Sequence, residues 1–479
     1  MKKSLLVKVA VPILLTGVIA LIGPPEGLEP AGWYYFAIFA GVIAALILEP
    51  IPAAAVGVIG VTVVALLGLA ASHGKPSAAW ALGGFSNTTV WLIFGAFMLA
   101  LGYKKTELGK RISLILVKLL GKRTLTLGYA VTAADLMIAP FVPSNTARSA
   151  GTIYPLISNI PPLYESTPES GRRRIGSYLM WTALAATCIT SSMFLTALAP
   201  NLLAKEIVSK NAGIDITWGD WFIGFLPAGI LLLALVPLVI YLIYPPEVKK
   251  SEKVPRWAAD ELKKMGKVKW QEIVMALLVL GALALWIFGG SFLHSSMVAV
   301  VVICLMLVSG ILKWSDITEY KSAWNVFVWF ATLVTLAGGL KSTGFVDWFA
   351  SWSSSMIDSL SVTMMMIALV VIFFVIHYMF ASVTAHTAAV LPVILAAGIA
   401  VEGINAPVFA LLLVFSLGIM GIITPYATGP GPVYYGSGFI SRGEFWKMGS
   451  IFGALFLAVL LAVVLPWLML AVSQGWILS

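Results

Sequence analysis

Two short segments carry most of the polar chemistry in the interior of this chain. Pro143-Ser144-Asn145-Thr146-Ala147-Arg148 and Ala381-Ser382-Val383-Thr384-Ala385-His386-Thr387 each place hydroxyls, a small residue and a cationic or titratable side chain inside apolar sequence. Hydroxyls, amides and the backbone N–H groups freed where a chain turns are donors, and in a low-dielectric setting they suit carboxylate oxygens. The pair is therefore a candidate dicarboxylate site. Ser144, Asn145 and Thr146 would clamp one carboxylate, and the Ser382-Val383-Thr384 stretch the other. A helix starting just after each segment would point its positive dipole end at the anion. A single Ser or Thr in an apolar helix more often bonds the preceding turn, but a recurring, proline-flanked motif favours the site.

Arg148 and His386 hold matching places, two residues after Thr146 and Thr384. Charge at membrane depth is costly and marks a pathway or a counter-ion, so both are expected to compensate substrate charge. On that account an empty carrier would move an unbalanced cation past an apolar barrier, and one-for-one exchange would be obligatory. The competing role for Arg148 is a structural pair with Asp135, which is compatible with the first. His377 is expected to pack or to make an internal hydrogen bond.

Two further segments, Thr196-Ala197-Leu198-Ala199-Pro200-Asn201 and Thr424-Pro425-Tyr426-Ala427-Thr428-Gly429-Pro430-Gly431-Pro432, interrupt apolar runs. Each follows one of the polar segments and is expected to unwind beside it. Ala197 would then reach the ligand from one break, and Thr428, Gly429 and Pro430 from the other. The spans hold no His/Asp/Glu/Cys cluster with metal-ligand spacing and no nucleophile motif. No metal, cofactor or enzymatic reaction is expected.

The elements that position these residues follow from composition. With 479 residues, 60% hydrophobic and 11% charged, the chain is too apolar for a soluble domain and reads as an all-α polytopic membrane protein embedded in a lipid bilayer. The formal charge of +9 does not point to nucleic acid, because Lys and Arg lie between apolar spans rather than on a soluble face. Cys188 and Cys304 sit inside apolar runs and read as small packing residues. Met1-Lys2-Lys3 and the apolar run to about Gly23 read as a retained first helix, since no small-x-small cleavage site follows.

Apolar spans lie near 8–23, 32–49, 52–72, 85–102, 174–204, 219–244, 270–289, 294–312, 322–340, 404–438 and 446–472, about eleven crossings by the 20-residue criterion. The sequence between Arg123 and Arg172-Arg173-Arg174 is different. If Ser144–Thr146 is a tip, arms of about 15 and 12 helical residues reach only about 22 and 18 Å, short of the roughly 30 Å core. A re-entrant hairpin at about 124–162 is expected, and a second at about 362–401, opening to the other side. About 25 of the 30 Lys and Arg fall on one face when the N-terminus is cytoplasmic, which assigns the sides and places the chain in the cytoplasmic membrane.

The tips are about 238 residues apart in the numbering, and their neighbours repeat too. Phe97-Met98-Leu99-Ala100-Leu101-Gly102-Tyr103-Lys104, then Thr106, matches Val334-Thr335-Leu336-Ala337-Gly338-Gly339-Leu340-Lys341, then Thr343. The expected organisation is an N-terminal helix (1–31), two inverted repeats (32–245 and 269–473) and a Lys-rich cytoplasmic linker (246–268). Inverted repeats with broken helices around a midplane site are the architecture of secondary transporters.

At these motifs the chain resembles the divalent anion/sodium symporter (DASS) family over nearly its whole length, and within it the bacterial dicarboxylate and tricarboxylate exchanger branch. The residues that carry the likeness are Pro143–Arg148, Ser382–Thr387, Pro200-Asn201 and Thr424–Pro430, with Leu48-Glu49-Pro50-Ile51-Pro52, Gly121–Tyr129 and Tyr178-Leu179-Met180-Trp181. The resemblance implies a homodimer in which a scaffold domain supports a transport domain that carries the hairpins in an elevator movement. It also implies substrates such as succinate, fumarate, malate, 2-oxoglutarate, tartrate or citrate. The sodium-coupled branch has Ser-Asn-Thr at both tips; Val383 replaces the second Asn here, so the expected function is sodium-independent antiport. A sodium-coupled dicarboxylate symporter is the alternative.

Overall fold

A computed structural model describes residues 2–70, 76–290, 292–354 and 361–478. Lys75, one of the 30 Lys and Arg counted above, lies outside the described residues. Among the described residues every regular element is helical, apart from one isolated antiparallel bridge between Arg123 and Lys250.

The first half contains α1 (Lys2–Ile22), α2 (Pro30–Leu48), α3 (Ala53–Leu66), the short α4 (Ala78–Leu82), α5 (Thr88–Thr106) and α6 (Leu108–Leu120). The first hairpin follows: α7 (Thr124–Ile138), a 3-10 turn (Ala139–Phe141), then a π-helical stretch (Thr146–Ile153) leading into α8 (Tyr154–Ile157). After it come α9 (Gly176–Met193), a 3-10 turn (Leu195–Ala197), α10 (Ala199–Ala212) and α11 (Trp218–Ile243).

The helix α12 (Lys253–Met265) opens the second half and is followed by α13 (Trp270–Phe288), α14 (Ser295–Val308), α15 (Trp314–Glu319), α16 (Lys321–Ser342) and α17 (Phe345–Ser354). The second hairpin is α18 (Val362–Ile376), a 3-10 turn (His377–Met379) and α19 (Val383–Ile399). It leads to α20 (Ala406–Ile419), a 3-10 turn (Met420–Ile422), α21 (Gly431–Gly436), and α22 (Arg442–Val459) running through a π turn into α23 (Leu465–Ser473).

Eight helices among the described residues are long and apolar enough to cross a membrane. They include α1, α2, α11, α13, α16 and the joined α22–α23, six of the expected spans. The other two are the entering arms of the hairpins, which with their 3-10 turns run Thr124–Phe141 and Val362–Met379, 18 residues each and longer than the sequence argument allows. Three expected spans are instead the 14-residue helices α3, α14 and α20. At 1.5 Å per residue each covers about 21 Å, so flanking turns must complete any crossing.

Prolines explain several local choices. Pro143 forbids a helical residue before it, and Val142 is accordingly extended at φ −125°, ψ 99°, which ends the first arm. Both π stretches stop just before Pro155 and Pro466, where the missing N–H leaves an earlier carbonyl unpaired and a wider turn relieves the clash. Residues 246–268 are not only a linker. The helix α12 packs on α6, and Thr124 N donates to Lys249 O (3.0 Å) while Ser251 N donates to Lys122 O (2.9 Å). Val254 and Ala258 are buried against that neighbour, an apolar stripe in a segment whose overall polarity hid it.

The centre is built from the broken helices. All eighteen residues of α9 are buried, and it packs on α7, α11 and α20. At the edge, α1 packs on α2 and exposes Leu6, Ile13, Leu14 and Leu21, as expected of a lipid-facing surface.

Candidate functional site

The two tips share one local solution. Ala147 N donates to Ser144 Oγ at 3.2 Å, and Ala385 N to Ser382 Oγ at 3.3 Å, so each serine caps the returning helix. The capping oxygens are thereby occupied as acceptors, while each hydroxyl hydrogen is free to donate. Thr146 is exposed and Thr384 half-buried, and neither hydroxyl makes a hydrogen bond within the described protein. These donors and the N–H groups of the first helical turns are what the tips offer to an anion.

The second break, residues 424–430, lies between the tips and is tied to both hairpins. Asn145 Nδ2 donates to Thr428 Oγ1 at 2.7 Å, and Gly429 lies so close to Thr146 that a Cβ there would sit 1.8 Å from Oγ1. On the other side Ala427 O accepts from His377 Nε2 (2.8 Å), and Tyr426 Oη donates to Tyr378 O (3.2 Å). His377 thus makes the internal hydrogen bond expected of it, with its hydrogen on Nε2. Pro430 is buried at the N-terminus of α21. No hydrogen bond among the described residues joins Ser382, Val383 or Thr384 directly to the first tip. Val383 is buried, so its contribution is its backbone at the start of α19.

Arg148 is the centre of a separate, buried network. Its side chain is fully buried, and Nε faces Asp135 at 3.3 Å. Nη1 donates to Val142 O (3.1 Å) and Ala197 O (2.8 Å), and Nη2 to the hydroxyls of Thr187, Thr190 and Ser191 at 3.1–3.2 Å. The expectation that Arg148 presents an unbalanced cation to the substrate is therefore corrected. Its donors are committed and Asp135 cancels its charge. What it does instead is bind a carbonyl from the first tip to a carbonyl from the first break, which also accounts for Ala197.

His386 is corrected as well. Its ring is fully buried among Phe373 (centroids 4.4 Å apart), His377 (5.0 Å) and Phe380 (5.2 Å), and neither nitrogen has a partner. It packs between the two arms of the second hairpin, next to the tip, rather than facing an anion.

A family model described as the transmembrane region of sodium:sulfate symporters matches residues 3–473. The chain belongs to that family, DASS. It is similar to curated relatives called L-tartrate/succinate antiporter from Shigella sonnei (strain Ss046) and Escherichia coli (strain K12), each 48% identical over 470 residues, covering 95% of this chain and 96% of the relative. In fold it is similar to the Alcanivorax borkumensis YdaH transporter, with a TM-score of 0.55 at 17% identity over 83% of this chain and 88% of the other.

In this DASS member the structure adds residues that motif reading missed. Thr187, Thr190 and Ser191 hold Arg148, Thr190 also donates to Asp135, and Tyr434 Oη lies 2.6 Å from Ser149 Oγ, joining α21 to the first hairpin. The run Thr187-Cys188-Ile189-Thr190-Ser191-Ser192 in an otherwise apolar helix was the available signal, since four hydroxyls there need partners.

Two cavities flank the hairpins in matching places. One of about 510 Å³ reaches Val142 and Ala147 at the first tip and is bounded by Tyr103, Lys104, Gly151 and Trp257. The other, about 290 Å³ beside the second hairpin, is walled by apolar groups including Leu340, Phe345, Ala389 and Pro392.

Proposed function

We propose that this chain exchanges C4-type dicarboxylates (succinate, fumarate, malate or tartrate, with 2-oxoglutarate and citrate as larger relatives) across the cytoplasmic membrane, one for one and without sodium. The observation that carries the sodium-independent part is the guanidinium of Arg148. It bridges Val142 O and Ala197 O at 3.1 and 2.8 Å, a pair of inward carbonyls of the kind that would otherwise suit a monovalent cation. Val383 at the second tip, in place of an amide, points the same way. The 48% identity to L-tartrate/succinate antiporters supports the choice of substrate class and of exchange.

In this reading the two serine-capped tips clamp the two carboxylates, with Thr146 and Thr384 donating and the 424–430 break holding both tips at a fixed spacing. Because Arg148 is neutralised by Asp135, obligatory exchange has a different origin from fixed charge. An empty carrier would take the donors of two tips, unpaired, past an apolar barrier. Each unsatisfied donor costs about 1–3 kcal/mol, so several together slow the empty return by orders of magnitude. The movement is an elevator-like displacement of the hairpins and broken helices against a scaffold containing α5 and α16, in a homodimer with its N-terminus in the cytoplasm.

The test is counter-flow. Proteoliposomes are loaded with succinate, L-tartrate, citrate or nothing, and uptake of labelled succinate is followed with and without a sodium gradient. Uptake that requires an internal acid and ignores sodium supports the proposal. Accumulation into empty vesicles driven by sodium refutes it in favour of a symporter.

A further inference from the structure

The two repeats place one motif at each hairpin mouth, and the mouths differ in charge. The chain leaves α5 for α6 through Glu107, at φ 58°, and leaves α16 for α17 through Gly344, at φ 77°, the same left-handed corner. This corner fixes the registration, so Lys104 corresponds to Lys341 and Lys110 to Asp347. The two cavities obey it as well: Tyr103 and Thr152 line one where Leu340 and Ala389 line the other.

At the second mouth Lys341 is ion-paired with Asp347. At the first mouth the same place holds Lys110 in place of a carboxylate. Four charged groups face that cavity: Lys104, Glu107, Lys110 and Glu261. Glu261 is held by Lys264 at 2.6 Å and Glu107 lies 4.0 Å from Lys110, which leaves Lys104 exposed with no ion-pair partner among the described residues. The cavity runs from this lysine to Val142 and Ala147, directly beneath the first tip.

We infer that the mouth beneath the first hairpin is an anion-capture site for dicarboxylates, built on Lys104, and that the second mouth lacks one because Asp347 cancels its lysine. The inference deepens the exchange reading above and rests on it for the ligand. A dianion about 7 Å from one uncompensated ammonium in a water-like medium is concentrated roughly three- to sevenfold at low salt, and salt removes most of that. The exchanger is therefore kinetically asymmetric. It captures acid more readily from the face bearing Lys104, which the Lys and Arg distribution makes cytoplasmic.

The experiment uses the full chain in inside-out and right-side-out membrane vesicles, measuring KM for labelled succinate on each face at about 20 and about 300 mM salt. Lys104→Gln is expected to raise KM on its own face roughly three- to sixfold at low salt, with kcat and the opposite face unchanged. Asp347→Asn, which releases Lys341, is expected to lower KM on the other face by a similar factor. Equal shifts on both faces, or no salt-sensitive shift, overturn the inference. A second readout needs no transport: in Ala147→Cys on a Cys304→Ser background, an anionic thiol reagent should react faster than a neutral one, and Lys104→Gln should remove the difference. Failure of that reagent bias overturns the capture site, whereas failure of succinate to exchange in wild type with the bias intact counts only against the substrate assignment.

Discussion

Replacing Arg148 with Lys separates geometry from charge. The guanidinium meets Asp135, two backbone carbonyls and three hydroxyls in different directions, whereas an ammonium carries three donors on one nitrogen at the end of a flexible stem. Lysine keeps the charge but cannot join Val142 O to Ala197 O while also reaching Asp135. Losing a charge-assisted hydrogen bond costs about 1.5–3 kcal/mol, and leaving a buried carboxylate poorly paired about 3–5 kcal/mol. At about 1.4 kcal/mol per decade, the second of these costs alone lowers the population with the first tip correctly joined to the first break by about 10²–10⁴. Exchange of labelled succinate in proteoliposomes should fall to match in Arg148→Lys, nearly as far as in Arg148→Met. Thermal unfolding in detergent supplies the second arm: Arg148→Met with Asp135→Asn should be more stable than Arg148→Met alone, because the orphaned charge is gone. Wild-type exchange in Arg148→Lys, or a double variant no more stable than the single one, would show that Arg148 does not join the first tip to the first break.

Gly429→Ala should cut exchange more than tenfold, since its methyl would lie 1.8 Å from Thr146 Oγ1 and displace the first tip; the same counter-flow assay reads it, and unaltered exchange would remove Gly429 from the site. His386→Phe should leave exchange within about threefold, because the ring is packed among Phe373, His377 and Phe380 with no hydrogen bond to lose; abolished exchange would restore a charged or donating role. Outside the spans, the hydrogen bond from Lys105 holds the Asp316 carboxyl below its usual range. A depressed carboxylate stabilises the fold above its unfolded-state pKa and loses that contribution as the pH falls through the folded value. The α5–α15 tie should therefore persist through mildly acidic pH, with the melting temperatures of wild type and Asp316→Asn converging only below about pH 4. A difference that instead grew on acidification would contradict it.

The residue order alone determined the class of protein and the places where helices break. Long apolar runs have no stable alternative to helices in lipid, and Pro143, Pro200 and the Thr424–Pro432 run cannot continue one. The recurrence of Ser144–Arg148 as Ser382–His386 marked the tips for the same reason: hydroxyls cluster in apolar sequence where something polar must be bound. The direction in which side chains face was decided only by tertiary structure. Arg148 and His386 occupy equivalent positions in the motif, yet one is enclosed by hydroxyls from α9 and the other by aromatic rings of its own hairpin. The amphipathic packing of α12 against α6 was likewise invisible in a Lys-rich stretch, because burial depends on what lies opposite. Periodicity and composition are properties of a segment; the partner that neutralises a charge, as Asp135 does for Arg148 and Asp347 for Lys341, is a property of the fold.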